Sequence, residues 1–205
     1  MERRFLTGEV RMEEDADSGR WIVGYAVKWM TLSHPLWVDG RTGKPVREQF
    51  KRGAFAKVLA RPELDIVGLR DHNRSLLLGR SVNQTLVAEE DETGFSYRIK
   101  PPNTQEGRDT LTLLNDGYLL GSSFSFSVPM DGDSWEEHED VLIRTVRTVD
   151  DLDDLGPVTR PAYPSSQAEA RSRDGALASL ERFRVCWKAE ADARARLLNL
   201  ERLRG

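Results

Sequence analysis

Short apolar segments separated by turn residues run through most of the chain and predict a domain built mainly from strands. Loops are predicted at 34–48 and 131–140, which are rich in proline, glycine or acidic residues. Helices are predicted at 53–60 and 104–115, with Thr104 as a candidate N-cap. The strand candidates are 5–12, 20–29, 66–69, 76–79, 85–89, 95–99, 119–128 and 141–149. The expected fold is α+β: a small, mostly antiparallel β-barrel with a few flanking helices.

The strand candidate 119–128 has the clearest alternation. Side chains in a strand point to opposite faces in turn, so Ser123, Ser125 and Ser127 share one face. Phe124 and Phe126 share the other face and are predicted to lie in the core. A small, polar serine face is typical of the floor of an open groove, but it equally fits an ordinary strand with solvated serines. The pattern alone leaves both interpretations open.

The end of the chain has a different character and predicts a single amphipathic helix. Its apolar residues recur at helical spacing: Leu180, Phe183, Trp187, Ala191, Ala195 and Leu198. The mixed segment PAYPSSQAEARSRDG, at 161–175, is predicted to be an exposed linker and a cleavage point. We therefore divide the chain into a barrel domain, 1–164, and a C-terminal segment, 165–205, that comprises the linker and the helix.

Charge and composition exclude several classes of protein. The net charge of −4 argues against nucleic acid as a partner, although residues 165–205 are basic and the body is acidic. The longest stretch without charge, 117–130, is too short for a membrane helix, so no membrane partner is expected. Cys186 is the only cysteine, which excludes an internal disulfide framework and any multi-cysteine metal site and favours a reducing cytoplasm.

The chain has three histidines, and each could be a surface residue. His34 lies next to Pro35 in a predicted loop, His138 lies among carboxylates in EEHED, and His72 lies just after an apolar strand. EEHED lacks the HExxH spacing of a metal site and is predicted to be a solvated acidic loop. Neither a GxSxG elbow nor a Walker loop is present. A serine nucleophile with a histidine base is one option among these residues, because spacing in sequence does not fix distance in space.

Seven short blocks, in order and at consistent spacing over roughly residues 10–164, resemble the HK97-type prohead maturation proteases of tailed bacteriophages. The blocks are IVGYAV at 22–27, Glu48 followed by RGAF at 52–55, LRDHN at 69–73, LLGR at 77–80, ETGFSYRI at 92–99, GYLLGSSFSF at 117–126 and LDDLGPVTRPAYP at 152–164. The resemblance implies a serine endopeptidase with a barrel similar to that of the herpesvirus assembly protease. It needs no cofactor and no metal.

The resemblance also implies the residues of a catalytic triad. The family's histidine falls on His72, and its serine, in the pattern Gly-x-Ser-Phe-Gly-Phe, falls on Ser123. Alignment on the final PAYP puts the third member, usually glutamate, at Asp154. Asp153 and Asp71 are alternatives, since the shorter aspartate loses one methylene of reach. The chain departs from the family pattern in two further places: Ser125 replaces a glycine, and Gly156 replaces a serine.

The implied function is cleavage of the scaffold segments of the capsid protein, and of the protease itself, during head maturation. The expected location is the assembling procapsid in the host bacterial cytoplasm. The partners are the major capsid protein or its scaffold segment, and optionally a second copy of this chain. Arg160 is a candidate oxyanion donor or a plain salt-bridge residue, and the terminal helix is either a targeting segment that is removed by self-cleavage or part of the core. The alternative function is a catalytically silent module that binds scaffold or capsid protein.

Overall fold

The computed structural model describes residues 2–7, 10–16, 19–159 and 167–202. Within these ranges the chain forms thirteen strands, three α-helices and a single 3-10 turn at Ser81–Asn83. The strands are β1 (Glu2–Thr7), β2 (Val10–Asp15), β3 (Gly19–Lys28), β4 (Trp37–Val38), β5 (Pro45–Phe50), β6 (Val67–Leu69), β7 (Leu77–Arg80), β8 (Leu86–Glu90), β9 (Gly94–Ile99), β10 (Gly121–Ser127), β11 (Asp133–Glu137), β12 (Leu142–Val146) and β13 (Asp151–Val158). The helices are α1 (Ala56–Leu59), α2 (Gln105–Asn115) and α3 (Gln167–Arg202).

The strands form three sheets, so the predicted mixture of many strands and a few helices is confirmed. One sheet has the order β1-β10-β13-β6-β7, a second β11-β12-β5-β4 and a third β2-β3-β9-β8. Most neighbouring strands are antiparallel, but β5 with β12 and β6 with β13 are parallel. In the described ranges none of the three sheets closes on itself, so the β-barrel stays a prediction.

Two predicted loops contain strands, and those two predictions are wrong. β4 and β5 lie within 34–48 and its flank, and β11 lies within 131–140. The inward-facing positions of these strands include acids, Glu48 on β5 and Asp133 on β11, which hide the usual alternation. Both carboxylates are paired with the buried guanidinium of Arg144, at 2.9 Å and 2.6 Å. A cation from a neighbouring strand therefore permits acidic residues to face the interior.

The main core contains a cluster of aromatic rings that anchors β10 from behind. Phe124 and Phe126 are fully buried and their ring centroids are 5.0 Å apart. Phe50 and Phe55 pack against Phe124 with centroids 5.6 Å and 5.8 Å away. The prediction that the phenylalanine face of this strand lies in the core is confirmed, and the rings fix the strand that carries the serines.

The first part of α3 packs on the body of the protein. Ala176 and Leu180 are fully buried in a second apolar cluster with Trp135. The Ser179 hydroxyl donates to Asp133 at 2.5 Å and accepts a hydrogen bond from the Trp135 indole at 2.8 Å. The segment 167–172, predicted to be linker, is already helical, in keeping with its alanine, glutamate and arginine content.

Further along α3 the apolar stripe leaves the body. Phe183 is half-buried, whereas Trp187 is 65% exposed. The side chains of Ala191, Ala195 and Leu198, which continue the predicted stripe, lie outside the described residues. Among the described helices, none combines the length and the apolar content that crossing a membrane requires.

Candidate active site

Ser123 lies in the middle of β10, a strand that has a paired strand along each of its two edges. Its Cα is paired with Gly156 of β13, and β10 also pairs with β1. Ser123 and Ser125 share one face, as the alternation predicts, and both are buried. The serine face is therefore a covered surface and not a solvated one. On the core side, the hydroxyl of Ser122 bonds to that of Tyr97 at 2.8 Å, and burial raises the pKa of Tyr97.

His72 comes from the loop between β6 and β7. Asp71 and His72 both have left-handed backbone conformations, with φ of 52° and 55°. Few residues other than glycine adopt this region, although aspartate and histidine are among those enriched there. The turn directs the imidazole back over the sheet, where its side chain is only 6% exposed.

Asp154 completes a hydrogen-bonded chain of three side chains. It lies on β13 with its Cα opposite Ser125, and its carboxylate is buried. Asp154 Oδ1 bonds to His72 Nδ1, and His72 Nε2 bonds to Ser123 Oγ. A proton on Nδ1 is donated to the carboxylate, which leaves Nε2 as the acceptor for the serine hydroxyl. This is the arrangement that lets an imidazole take a proton from a serine as the serine attacks a carbonyl.

Gly156 permits the close approach of β6 to β13 beside the site. A Cβ at this position would lie 2.1 Å from the carbonyl oxygen of Leu69, so any side chain here would collide with the backbone of β6. Leu69 ends the strand that leads into the loop of His72. Gly156, which replaces a serine of the family pattern, thus allows the loop of His72 to come within reach of Asp154.

The alternative third members, Asp71 and Asp153, are engaged with other partners. Asp71 Oδ1 accepts hydrogen bonds from the backbone N–H and the hydroxyl of Thr159, at 2.8 Å and 3.0 Å. Asp153 pairs with Arg74 at 2.9 Å. Asp154 is the aspartate whose carboxylate lies on the imidazole, so the geometry favours it over both alternatives.

The second hydroxyl on this face, that of Ser125, lies on the other side of the ring. Ser125 Oγ is 3.4 Å from His72 Nδ1, the nitrogen that faces Asp154. Ser123 Oγ, by contrast, meets Nε2. Because the base must accept the nucleophile's proton on the nitrogen that does not face the carboxylate, Ser123 is better placed than Ser125 for attack.

The remaining sequence candidates lie elsewhere. His34 is exposed, and the Nε2 atom of His138 is 3.5 Å from Glu136. Arg160, the candidate oxyanion donor, falls outside the described residues. In the part of the chain that the structure describes, no group of three or more His, Cys, Asp or Glu side chains could hold a metal ion.

Two features of the structure, one of them away from the site, escaped sequence reasoning. The buried Arg144 joins acids from two other strands, and no local pattern reveals such a partnership. The Asp71–Thr159 contact was also unforeseen, although the adjacent pair Asp71-His72, both tolerant of left-handed backbone, was a usable signal.

A family model described as caudovirus prohead serine protease matches residues 7–179. A search of curated protein sequences found no significant match. Among solved structures, the chain is similar to the capsid assembly protease of bacteriophage T4, with 12% identity and a TM-score of 0.39 over 77% of this chain and 99% of that one.

Proposed function

Since the chain belongs to the caudovirus prohead serine protease family, we propose that it cleaves scaffold segments of the capsid protein, and itself, inside the assembling procapsid. The observation that carries the proposal is the hydrogen-bonded chain from Asp154 through His72 to Ser123. The three residues come from separate segments: Ser123 lies 51 residues after His72 in sequence, and Asp154 lies 82 residues after it. A serine bonded to an imidazole that is itself bonded to a carboxylate is the arrangement of an activated nucleophile.

The proposed mechanism starts with attack by Ser123 Oγ on the carbonyl carbon of the scissile peptide. His72 Nε2 accepts the hydroxyl proton and then delivers it to the leaving amine. Asp154 holds the ring in the tautomer with the proton on Nδ1 and stabilises the imidazolium that forms. Water then attacks the acyl-enzyme, with His72 acting as base again. No cofactor or metal is required.

An oxyanion hole is required as well, because removal of one donor typically costs about 10²–10³ in rate. Arg160 is the proposed side-chain donor. It follows Thr159, whose backbone N–H is bonded to Asp71 beside the histidine loop. The Arg160→Ala variant should retain Ser123 labelling by a small probe more fully than it retains peptide cleavage.

The end of α3 is proposed as a segment that targets the protease to the procapsid. Arg184 of the helix bonds to Asp39 of the body at 2.7 Å. Beyond that point the apolar side chains of Val185 and Trp187 are exposed. An apolar stripe on a helix can pack into a groove of a partner protein, for which the capsid protein or its scaffold segment is the proposed occupant.

The experiment that tests the function is co-expression with the capsid protein and mass spectrometry of the fragments. Ser123→Ala should abolish both capsid-protein cleavage and self-cleavage while leaving the thermal melt unchanged, because the serine hydroxyl is needed only for the reaction. Ser125→Ala is the matched control on the same strand and should retain cleavage.

Two results would refute the proposal. If Ser125→Ala is inactive and Ser123→Ala is active, the nucleophile is the other serine of this face. If wild type cuts neither protein and Ser123 does not react with a fluorophosphonate, the chain is a silent module that binds scaffold or capsid protein without cutting it.

A further inference from the structure

The loop that carries His72, residues 70–76, is held against β13 by contacts on both sides of Asp154. After Asp154, the Asp71 carboxylate accepts hydrogen bonds from the backbone N–H and the hydroxyl of Thr159, at 2.8 Å and 3.0 Å. The Asp71 N–H in turn donates to the carbonyl of Pro157 at 3.1 Å. We call this set of three hydrogen bonds the Asp71 clasp.

Before Asp154, the second contact is an ion pair. One terminal nitrogen of Arg74 lies 3.0 Å and 2.9 Å from the two carboxylate oxygens of Asp153. The Arg74 side chain is 68% exposed, and an ion pair so open to water contributes little. The side chains of Asp71 and Thr159 are exposed as well, but the Asp71 clasp includes a backbone hydrogen bond and holds the residue next to His72, so it bears more directly on the position of the histidine.

The backbone of the loop needs such a contact. Asp71 and His72 are consecutive residues with positive φ, a conformation that non-glycine residues keep only when their surroundings hold it. Asp71 is bonded through its own N–H and through its side chain, and His72 is the next residue. A loop released at Asp71 would be able to relax to ordinary φ values, and that rotation would swing the imidazole away from β10.

We propose that Asp71 is a positioning residue: the Asp71 clasp fixes the left-handed turn that holds the His72 imidazole between Ser123 and Asp154. This inference rests on the proposed function, in which His72 is the general base. It gives Asp71 a role in the reaction without contact with substrate. It also assigns Thr159 a role as the donor on the β13 side.

The test measures how fast a fluorophosphonate probe labels Ser123, resolved into the maximal rate and the half-saturating probe concentration. Asp71→Ala should lower the maximal rate about 10–100-fold, since an ångström-scale misplacement of a catalytic group costs up to about 10²-fold. The half-saturating concentration should stay within about twofold, because the probe's own contacts are untouched. Asp71→Asn keeps an acceptor oxygen and tolerates positive φ, so it should label within about threefold of wild type.

Two further variants separate the clasp from its alternatives. Asp71→Gly accepts positive φ without strain but has no acceptor, so it should be as slow as Asp71→Ala. Arg74→Ala is the matched control on the same loop and should label at the wild-type rate. Thermal melts of all variants check that the fold is retained. If Asp71→Ala does not fold, Thr159→Val, which loses only the hydroxyl donor, should still slow labelling severalfold.

Several outcomes would overturn the inference. Wild-type labelling by Asp71→Ala would do so, as would full recovery in Asp71→Gly, because the turn would then need only a permissive backbone. A loss in Asp71→Asn equal to that in Asp71→Ala would show that the acceptor oxygen is not what matters. If wild type itself is not labelled and cuts nothing, the proposed function fails and this inference fails with it.

Discussion

Leu180 and Trp187 belong to the same apolar stripe of α3, yet their side chains differ completely in solvent exposure. Leu180 is completely buried, whereas Trp187 is 65% exposed. Leu180 packs in the second cluster with Val46, Trp135 and Leu142. Replacing a buried leucine with alanine costs about 2–5 kcal/mol in the free energy of unfolding. We expect a loss in this range for Leu180→Ala and a change within about 0.5 kcal/mol for Trp187→Ala.

The assay is a thermal melt of both variants in the Ser123→Ala background, so that self-cleavage cannot shorten the chain. For a domain of this size, 1 kcal/mol shifts the melting temperature by about 2–4 °C. Leu180→Ala should therefore melt roughly 5–15 °C below its parent, and Trp187→Ala within about 2 °C of it. Alanine is slightly the better helix former, but that gain is a few tenths of a kcal/mol at most and does not change the order.

An equal melting temperature for Leu180→Ala and its parent would refute the reasoning, because the burial would then contribute no stability. A large loss in Trp187→Ala would mean that the indole is covered in solution. A chain that ends after Arg184 provides a second check. It retains the contacts that Ser179, Leu180 and Arg184 make with the body, so it should keep the parent's melting temperature.

Two further predictions concern buried ion pairs. Burial works to raise the pKa of Asp39, but hydrogen bonds from Thr42 and from Arg184 outweigh it and hold that pKa below its ordinary value of 3.8. A carboxylate whose pKa is lowered in the folded state stabilises the fold at pH values above its ordinary pKa, and this stabilisation is lost as the pH falls. Arg184→Ala should therefore lower the free energy of unfolding fully at pH 7 and by less below about pH 4, as measured by urea titration. Arg144→Met leaves the buried carboxylates of Glu48 and Asp133 without their cation and should cost about 3–5 kcal/mol at pH 7, measured in the same way; a near-neutral effect would contradict the burial of that pair.

Most regular elements could be predicted from local pattern. α2 begins directly after Thr104, the predicted N-cap residue. The Thr104 side chain accepts a hydrogen bond from the Gly107 N–H at 3.2 Å. The alternation in β10 predicted the buried phenylalanine face. Of the strands that were not predicted, β5 and β11 have inward positions that include acids paired with Arg144. That pairing depends on which strands are neighbours, and local sequence carries no record of it.

The site divides in the same way. The short sequence blocks predicted the residue types of the site. They also gave the positions of His72 and Ser123 without any spatial information. The third member did not separate from its neighbours, because Asp71, Asp153 and Asp154 are chemically identical. Three structural features bring the carboxylate of Asp154, and not that of Asp71 or Asp153, to the imidazole. They are the course of β13, the lack of a side chain at Gly156 and the turn that carries His72.

In the proposed mechanism, the position of β13 in the sheet that holds Ser123 determines when the protein can become active. β13 is the last of the described strands in sequence, yet it lies between β10, which carries Ser123, and β6, which leads to His72. A nascent chain that ends before β13 has neither the carboxylate for the imidazole nor the strand that joins β10 to β6. At about 5–20 residues per second, synthesis as far as this strand takes roughly 8–30 s. Throughout that interval the nascent protease cannot cut a neighbouring polypeptide, so fold topology alone delays its onset.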